Sequence, residues 1–235
     1  MIALIDCRAD SSLLSSLESR GFEPILIPPA DYLQVGIASH TDMLIFIGFG
    51  RLFCHARYYE SNKELIDRIA KKNTLEIVIS NEATGSDYPR DVLFNACTVG
   101  KKLICNKKTV SQLILDTATE YGYEIVNVPQ GYTKCSVCIV SDNAIITADE
   151  GIAKACKAAG IDVLHISNGN VSLPPYDFGF IGGASGFCGN NVFFCGSLDK
   201  HPDAKRIIDF CGSYGKCVVS LSENPLSDVG TVFFL

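Results

Sequence analysis

Lys134 and Cys135 set an ammonium beside a thiol, the pairing that favours a thiolate and hence a nucleophile. Cys135 is therefore the candidate catalytic residue, against the alternative of an inert core thiol. Asp42, Asp91, Asp177 and Asp228 each stand where an apolar run begins, and Lys134 holds the matching place in a fifth run. If those runs are strands starting at a common centre, the carboxylates would draw in a cation, and Lys134 would meet an acidic group of the ligand. If they are not, each Asp simply caps the turn before its strand. His40, two residues before Asp42, is the histidine placed to join such a site. His55, His165 and His201 read as structural, with His165 on a packed face of its strand.

Other motifs resolve toward structure. Cys135 and Cys138 form a C-x-x-C, but residues three apart on a strand point to opposite faces and cannot share a tetrahedral metal. The redox version of that motif opens a helix, not a strand. No metal and no cofactor is expected. The glycine-rich GFIGGASGFCGNN (179–191) leads into the apolar VFF instead of a helix, so it reads as a hairpin loop and not a dinucleotide fingerprint. Its Ser185 and Asn190 are candidates to line a pocket, with glycines permitting close approach of a ligand. Neither an HExxH nor a G-x-S-x-G nucleophile elbow occurs.

The elements that must position these residues repeat along the chain. Residues 137–140 and 144–146 read as two strands joined by a tight turn. Thr147 and Glu150 form a capping box for the helix that follows. Gly160 then ends that helix, and a third strand covers 163–166. The same strand–strand–helix–strand pattern fits 42–80, with a Ser61/Glu64 cap, and 91–129, with a Thr109/Gln112 cap. It fits again over 177–222, where Pro202 starts the helix. The first unit, with a helix capped by Asp10, lacks an opening strand, and the orphan apolar run 228–235 supplies it. Gly21, Asn73, Gly122, Gly160 and Gly215 mark the helix-to-strand corners. Joining the termini in this way closes a ring and removes two sheet edges; the competing arrangement is an open, doubly wound sheet with hairpin insertions.

The chain of 235 residues carries 20 Lys and Arg against 26 Asp and Glu, a net charge of −6. That balance argues against nucleic-acid or acidic-membrane partners and favours a small cationic ligand. No apolar run approaches the length of a membrane span. The start, MIALIDCRAD, lacks the basic region of a secretory leader. The eleven cysteines lie mostly in apolar runs, Cys54, Cys105, Cys138, Cys195 and Cys217 among them. Buried reduced thiols in a cytoplasmic protein are expected.

Five such units closed by the termini resemble the pentein fold, the five-bladed α/β propeller of guanidino-group-modifying enzymes and of a non-catalytic ribosome anti-association factor. The resemblance implies an α/β fold with residues 1–235 in one pentein-like domain. It also implies a central channel for a guanidino or amino-acid-like ligand. In those enzymes a stretch like His-Leu-Lys-Ser precedes an inner strand; here Tyr132-Thr133-Lys134-Cys135 matches it, so Tyr132 stands where the His would. Their nucleophilic Cys follows an Asp-Gly-type turn near the C-terminus. Here Asp228-Val229-Gly230 is followed by Thr231, Val232, Phe233 and Phe234. The expected function is binding of a small cationic or zwitterionic ligand. The alternatives are a divergent thiol hydrolase or transferase using Cys135, and a non-enzymatic interaction module. The sequence leaves the oligomeric state open.

Overall fold

The apolar runs pair as hairpins, and each hairpin gains a third strand once a helix has carried the chain back across it. A computed structural model describes residues 1–235. In it Ile45–Gly48 pairs antiparallel with Arg51–His55, which pairs parallel with Glu76–Ser80 after the helix Lys63–Lys72. Cys97–Val99, Lys102–Cys105 and Glu124–Asn127 repeat this order around the helix Gln112–Glu120. Cys138–Ser141, Ala144–Thr147 and Asp162–His165 do so around Glu150–Ala158. Ser185–Cys188, Asn191–Phe194 and Cys217–Ser220 complete the series around Ala204–Ser213.

The fifth sheet is assembled from both ends of the chain. Ile2–Asp6 runs parallel to Glu23–Ile27 and antiparallel to Phe233–Phe234, with Leu4 opposite Phe233. Ile2 and Leu235 exchange backbone hydrogen bonds of 2.8 and 3.0 Å. Five three-stranded sheets thus form the closed α/β propeller, not an open sheet. First strands of neighbouring sheets lie against one another, as Ser185–Cys188 does against Cys138–Ser141 and against Phe233–Phe234. Phe22, Phe193 and Phe234 pack at the seam where the last sheet meets the shared one, with ring centroids 4.7 to 5.6 Å apart. No helix is long and apolar enough to cross a membrane.

Several local expectations change. The runs beginning at Asp42, Asp91, Lys134, Asp177 and Asp228 do not start as strands. Thr41–Leu44 and Thr133–Ser136 are single helical turns, and strand geometry begins only at Ile45, Cys97, Cys138, Ser185 and Phe233. The intervening residues turn across the centre of the ring. Cys135 therefore sits on a helical turn, and the opposite-faces argument against a shared Cys135–Cys138 site does not describe its geometry. Asp149, not Thr147, caps the helix Glu150–Ala158, accepting from the Ile152 amide at 2.7 Å; Thr147 still ends the preceding strand. Ser111 and Asn62 likewise hold the cap positions expected for Thr109 and Ser61. Gly21, Gly122, Gly160 and Gly215 take the left-handed conformation at their corners; at the fifth corner the residue that does so is Thr74, at φ 53°, one past Asn73. Cys217 is exposed, and so is His165, whose Nε2 lies 3.2 Å from the Ala148 carbonyl oxygen. Each faces outward on the third strand of its sheet, the edge strand, which is only half covered.

Candidate functional site

Three of the turns across the ring centre are locked together by one asparagine. Asn95 interrupts the apolar run 91–99 and is fully buried. Its Oδ1 accepts from the amides of Lys134 at 2.7 Å and Cys135 at 3.2 Å. Its Nδ2 donates to the Asp42 carbonyl at 3.1 Å and lies 3.0 Å from the Cys135 sulfur. A buried amide with all its groups engaged pins the turns 41–44 and 133–136 against each other. Sequence reasoning passed over Asn95; the polar break in an apolar run was the available signal.

The fourth turn, 228–232, brings Asp228 and Thr231. Lys134, itself buried, donates from Nζ to Thr231 Oγ1 at 3.0 Å and to the Val137 carbonyl at 3.2 Å. Thr231 Oγ1 lies 2.8 Å from Asp42 Oδ2, so the hydroxyl links the ammonium to that carboxylate. Holding it there puts a β-branched residue at φ 68°, a conformation costing about 1–3 kcal/mol. Asp228 Oδ1 accepts from the Gly230 amide at 3.0 Å and Oδ2 from the Phe180 amide at 2.8 Å. Gly182 and Gly183 make this packing possible. A Cβ on Gly183 would fall 1.9 Å from Asp228 Oδ1, and one on Gly182 would fall 2.3 Å from the Lys134 carbonyl oxygen. The glycines of the 179–191 stretch thus admit the protein's own chain, where the sequence suggested a ligand.

Burial sets the protonation of the centre. It pushes Asp228 up to about 6, against the two amides that favour its anion, and it raises Asp42 as well. The Cys135 thiol is raised well above its ordinary value by burial and by the nearby Asp42 and Asp228 carboxylates. His40 is lowered by burial. Its Nδ1 lies 3.7 Å from Asp228 and its Nε2 lies 3.8 Å from Asp6, both too long for hydrogen bonds. Burial opposes ionisation of Asp6 too, but Arg8 and Ser39 overcome it and hold Asp6 below the usual carboxylate range. His40 Nε2, Thr41 Oγ1, Asp42 Oδ1 and Asp91 Oδ1 are buried with no hydrogen-bond partner. Asp91 accepts from the Tyr132 hydroxyl at 2.5 Å through its other oxygen, and burial raises its carboxyl.

A cavity of about 390 Å³, within the usual range for small-molecule sites, opens onto this centre. His40, Cys135 and Asp228 form its buried floor. Ile37, Met43, Tyr132, Leu173 and Phe180 form apolar walls, with the rings of Tyr132 and Phe180 stacked at 6.0 Å. Tyr176 and Asp177 stand exposed at the rim. His40, Tyr132, Cys135, Asp177 and Asp228 are thereby gathered on one cavity. Asp42 lies behind the floor and Asp91 behind Tyr132. Lys134 and Ser185 line a different, smaller pocket of about 120 Å³ with Phe233 and Phe234, and Ser185 donates to the Gly182 carbonyl at 3.0 Å. No group of three or more His, Cys, Asp and Glu side chains has the arrangement of a metal site.

Residues 4–233 match a family described as "Family of unknown function (DUF6873)". The chain belongs to that family. No curated protein sequence matches it. Among solved structures it is similar to a dimethylarginine dimethylaminohydrolase from Pseudomonas aeruginosa complexed with citrulline, at 10% identity, TM-score 0.56, covering 94% of this chain and 92% of that one. An agmatine deiminase from C. jejuni aligns at 10% identity and TM-score 0.57, over 94% of this chain and 87% of its own. An amidinotransferase from Microseira wollei, of the saxitoxin biosynthetic pathway, aligns at 11% identity and TM-score 0.56, over 93% and 78%. At these identities the likeness establishes a shared fold.

Proposed function

We propose that the chain binds a small cationic ligand, guanidino or amino-acid-like, in the 390 Å³ cavity. The observation that carries this reading is the floor: a buried carboxylate, Asp228, beside a histidine whose Nε2 has no partner, backed by Asp42 with an oxygen equally unpartnered. A guanidinium or ammonium at the floor would neutralise the Asp228 carboxylate, adding a charge-assisted contact to the two amide bonds it already accepts. Lys134 is the only Lys or Arg hydrogen-bonded into the turns themselves, and its Nζ is already engaged by Thr231 and Val137. The fold shared with proteins named for dimethylarginine, agmatine and amidino transfer supports the same ligand class.

A second reading, thiol chemistry at Cys135, rests on Cys135 and His40 lining one cavity. The raised thiol weighs against it, because the resting group is the thiol and not the nucleophilic thiolate. Tyr132 and the 228–234 segment, where the resemblance calls for a His and a Cys, weigh in the same direction. Calorimetric titration with butylguanidine tests the binding reading. Saturable binding that Asp228→Asn weakens supports it, whereas no binding at millimolar ligand would sink it. Mass-spectrometric mapping with a haloacetamidine tests the thiol reading: rapid labelling of Cys135 that butylguanidine blocks would restore it.

A further inference from the structure

Both ends of the cavity are acidic. Asp228 closes the floor, with Asp42 behind it, and Asp177 stands at the solvent-exposed rim. Between them the walls are apolar, formed by Ile37, Met43, Leu173 and Phe180. No lysine or arginine lines the cavity. The nearest cations are already committed. Arg8, in the adjoining pocket that shares Leu173 and Asp228, binds both oxygens of Asp6 together with the carbonyls of Val35 and Gly36. Lys134 points to the other side of the ring. The polar side chains at the rim are spent as well: Tyr176 donates its hydroxyl to Gln34 Oε1 at 2.8 Å, and Gln34 Nε2 donates to the Ser86 carbonyl at 3.1 Å.

An α-amino acid bound with its cationic side chain on the floor would carry a carboxylate to this rim. It would meet Asp177 and no positive charge. Like charges facing each other, with no compensating partner, discriminate against such a ligand. An ammonium at the same position would be welcomed by Asp177. The floor separately favours a cation: its one charged side chain is the buried Asp228 carboxylate, with no lysine or arginine beside it, and the adjoining His40, 1% exposed, has a ring nitrogen without a partner.

Building on the binding reading above, we propose that the ligand is an unbranched aliphatic dication without a carboxylate: an α,ω-diamine or an aminoalkylguanidine. One cationic end sits against Asp228, the methylene chain lies along the apolar walls, and the other end pairs with Asp177. Asp177 is then the residue that selects the ligand's outer end.

The test compares ligands that differ in one group. Cadaverine and agmatine are titrated calorimetrically against lysine and arginine, which add only the carboxylate, and against pentylamine, which lacks the outer charge. Cadaverine and agmatine should bind at least about tenfold more tightly than lysine and arginine, the cost of one unpaired carboxylate. Asp177→Asn should weaken both dications by about threefold, as expected for an exposed ion pair, and leave pentylamine unchanged. Lysine and arginine binding as tightly as their carboxylate-free counterparts would overturn this inference while leaving a cation site in place. An Asp177→Asn variant with unaltered dication affinity would overturn it too. If none of the five compounds binds, the binding reading itself fails.

Discussion

Asp228 makes the pH dependence of this protein calculable. Its carboxyl titrates near pH 6 in the folded chain, against an ordinary value of 3.8, because burial penalises the anion more than the Phe180 and Gly230 amides and Lys134 reward it. Between pH 3.8 and 6 the folded protein keeps a proton that the unfolded chain has shed. Folding stability attributable to this group therefore falls as pH rises through that window and levels off above it, by about 3 kcal/mol in all. Asp42 is shifted in the same direction and adds to the fall; Asp6 is shifted in the opposite direction and opposes it. The clean readout is thus a difference. Urea denaturation from pH 4 to 7.5, on the native chain and on Asp228→Asn, should show a negative slope in the first that is reduced in the second. Ligand affinity should change in the opposite sense. Butylguanidine stays charged throughout, so its binding follows the ionised fraction of Asp228 and should be about tenfold tighter at pH 7 than at pH 5. Equal pH slopes for the two proteins in urea would refute the account of Asp228, whether or not any ligand binds.

Other perturbations test the scaffold around it. Gly183→Ala forces a Cβ into the Asp228 carboxylate, 1.9 Å from Oδ1, and should cost about 3 kcal/mol through loss of charge-assisted hydrogen bonds; a change below about 1 kcal/mol in urea would show that the carboxylate is not packed there. Asn95→Leu strips the Lys134 and Cys135 amides of their acceptor and should cost about 2–4 kcal/mol, again by urea denaturation; near-native stability would mean that the asparagine does not hold the turns. Tyr132→Phe removes the side-chain hydrogen bond to Asp91, so infrared titration of Asp91 should show its carboxyl moving further up, and an unmoved carboxyl would contradict the bond. In timed iodoacetamide labelling at pH 8, exposed Cys217 should react well ahead of buried Cys135; equal rates would mean that the floor of the cavity is open.

The ring was legible in the sequence because its signals are periodic: apolar runs of strand length, helix stops such as Gly160, and an orphan run at 228–235 that only the N-terminal unit could use. The site was legible in part. Of the positions singled out at or near the starts of the runs, His40, Cys135, Asp177 and Asp228 line one cavity, whereas Asp42, Asp91 and Lys134 do not. What the sequence concealed was conformation. A stretch such as DVLFNACTV alternates and branches like a strand, yet residues 91–96 turn and only Cys97–Val99 pair. Local propensity there is overridden by a contact to a distant segment, Asn95 with Lys134 and Cys135, which no periodicity encodes.

That override also explains why the polar residues collect where they do. In a closed ring every first strand starts at the same end, so whatever precedes it must cross the centre, where buried backbone groups need partners from the protein. Side chains that accept or donate to those groups are needed there for folding alone: Asn95 for the turn at 133–136, Asp228 for the amides of Phe180 and Gly230. Structural need accounts for Asn95 completely, since its oxygen and its amide group are all engaged. It does not account for His40, Thr41, Asp42 or Asp91, each of which retains a buried polar atom with no partner. Folding gains nothing from those four atoms and is charged for burying them. Of these residues only His40 lines the cavity, beside the Asp228 carboxylate, and on the binding proposal above that pair is where a cation would sit.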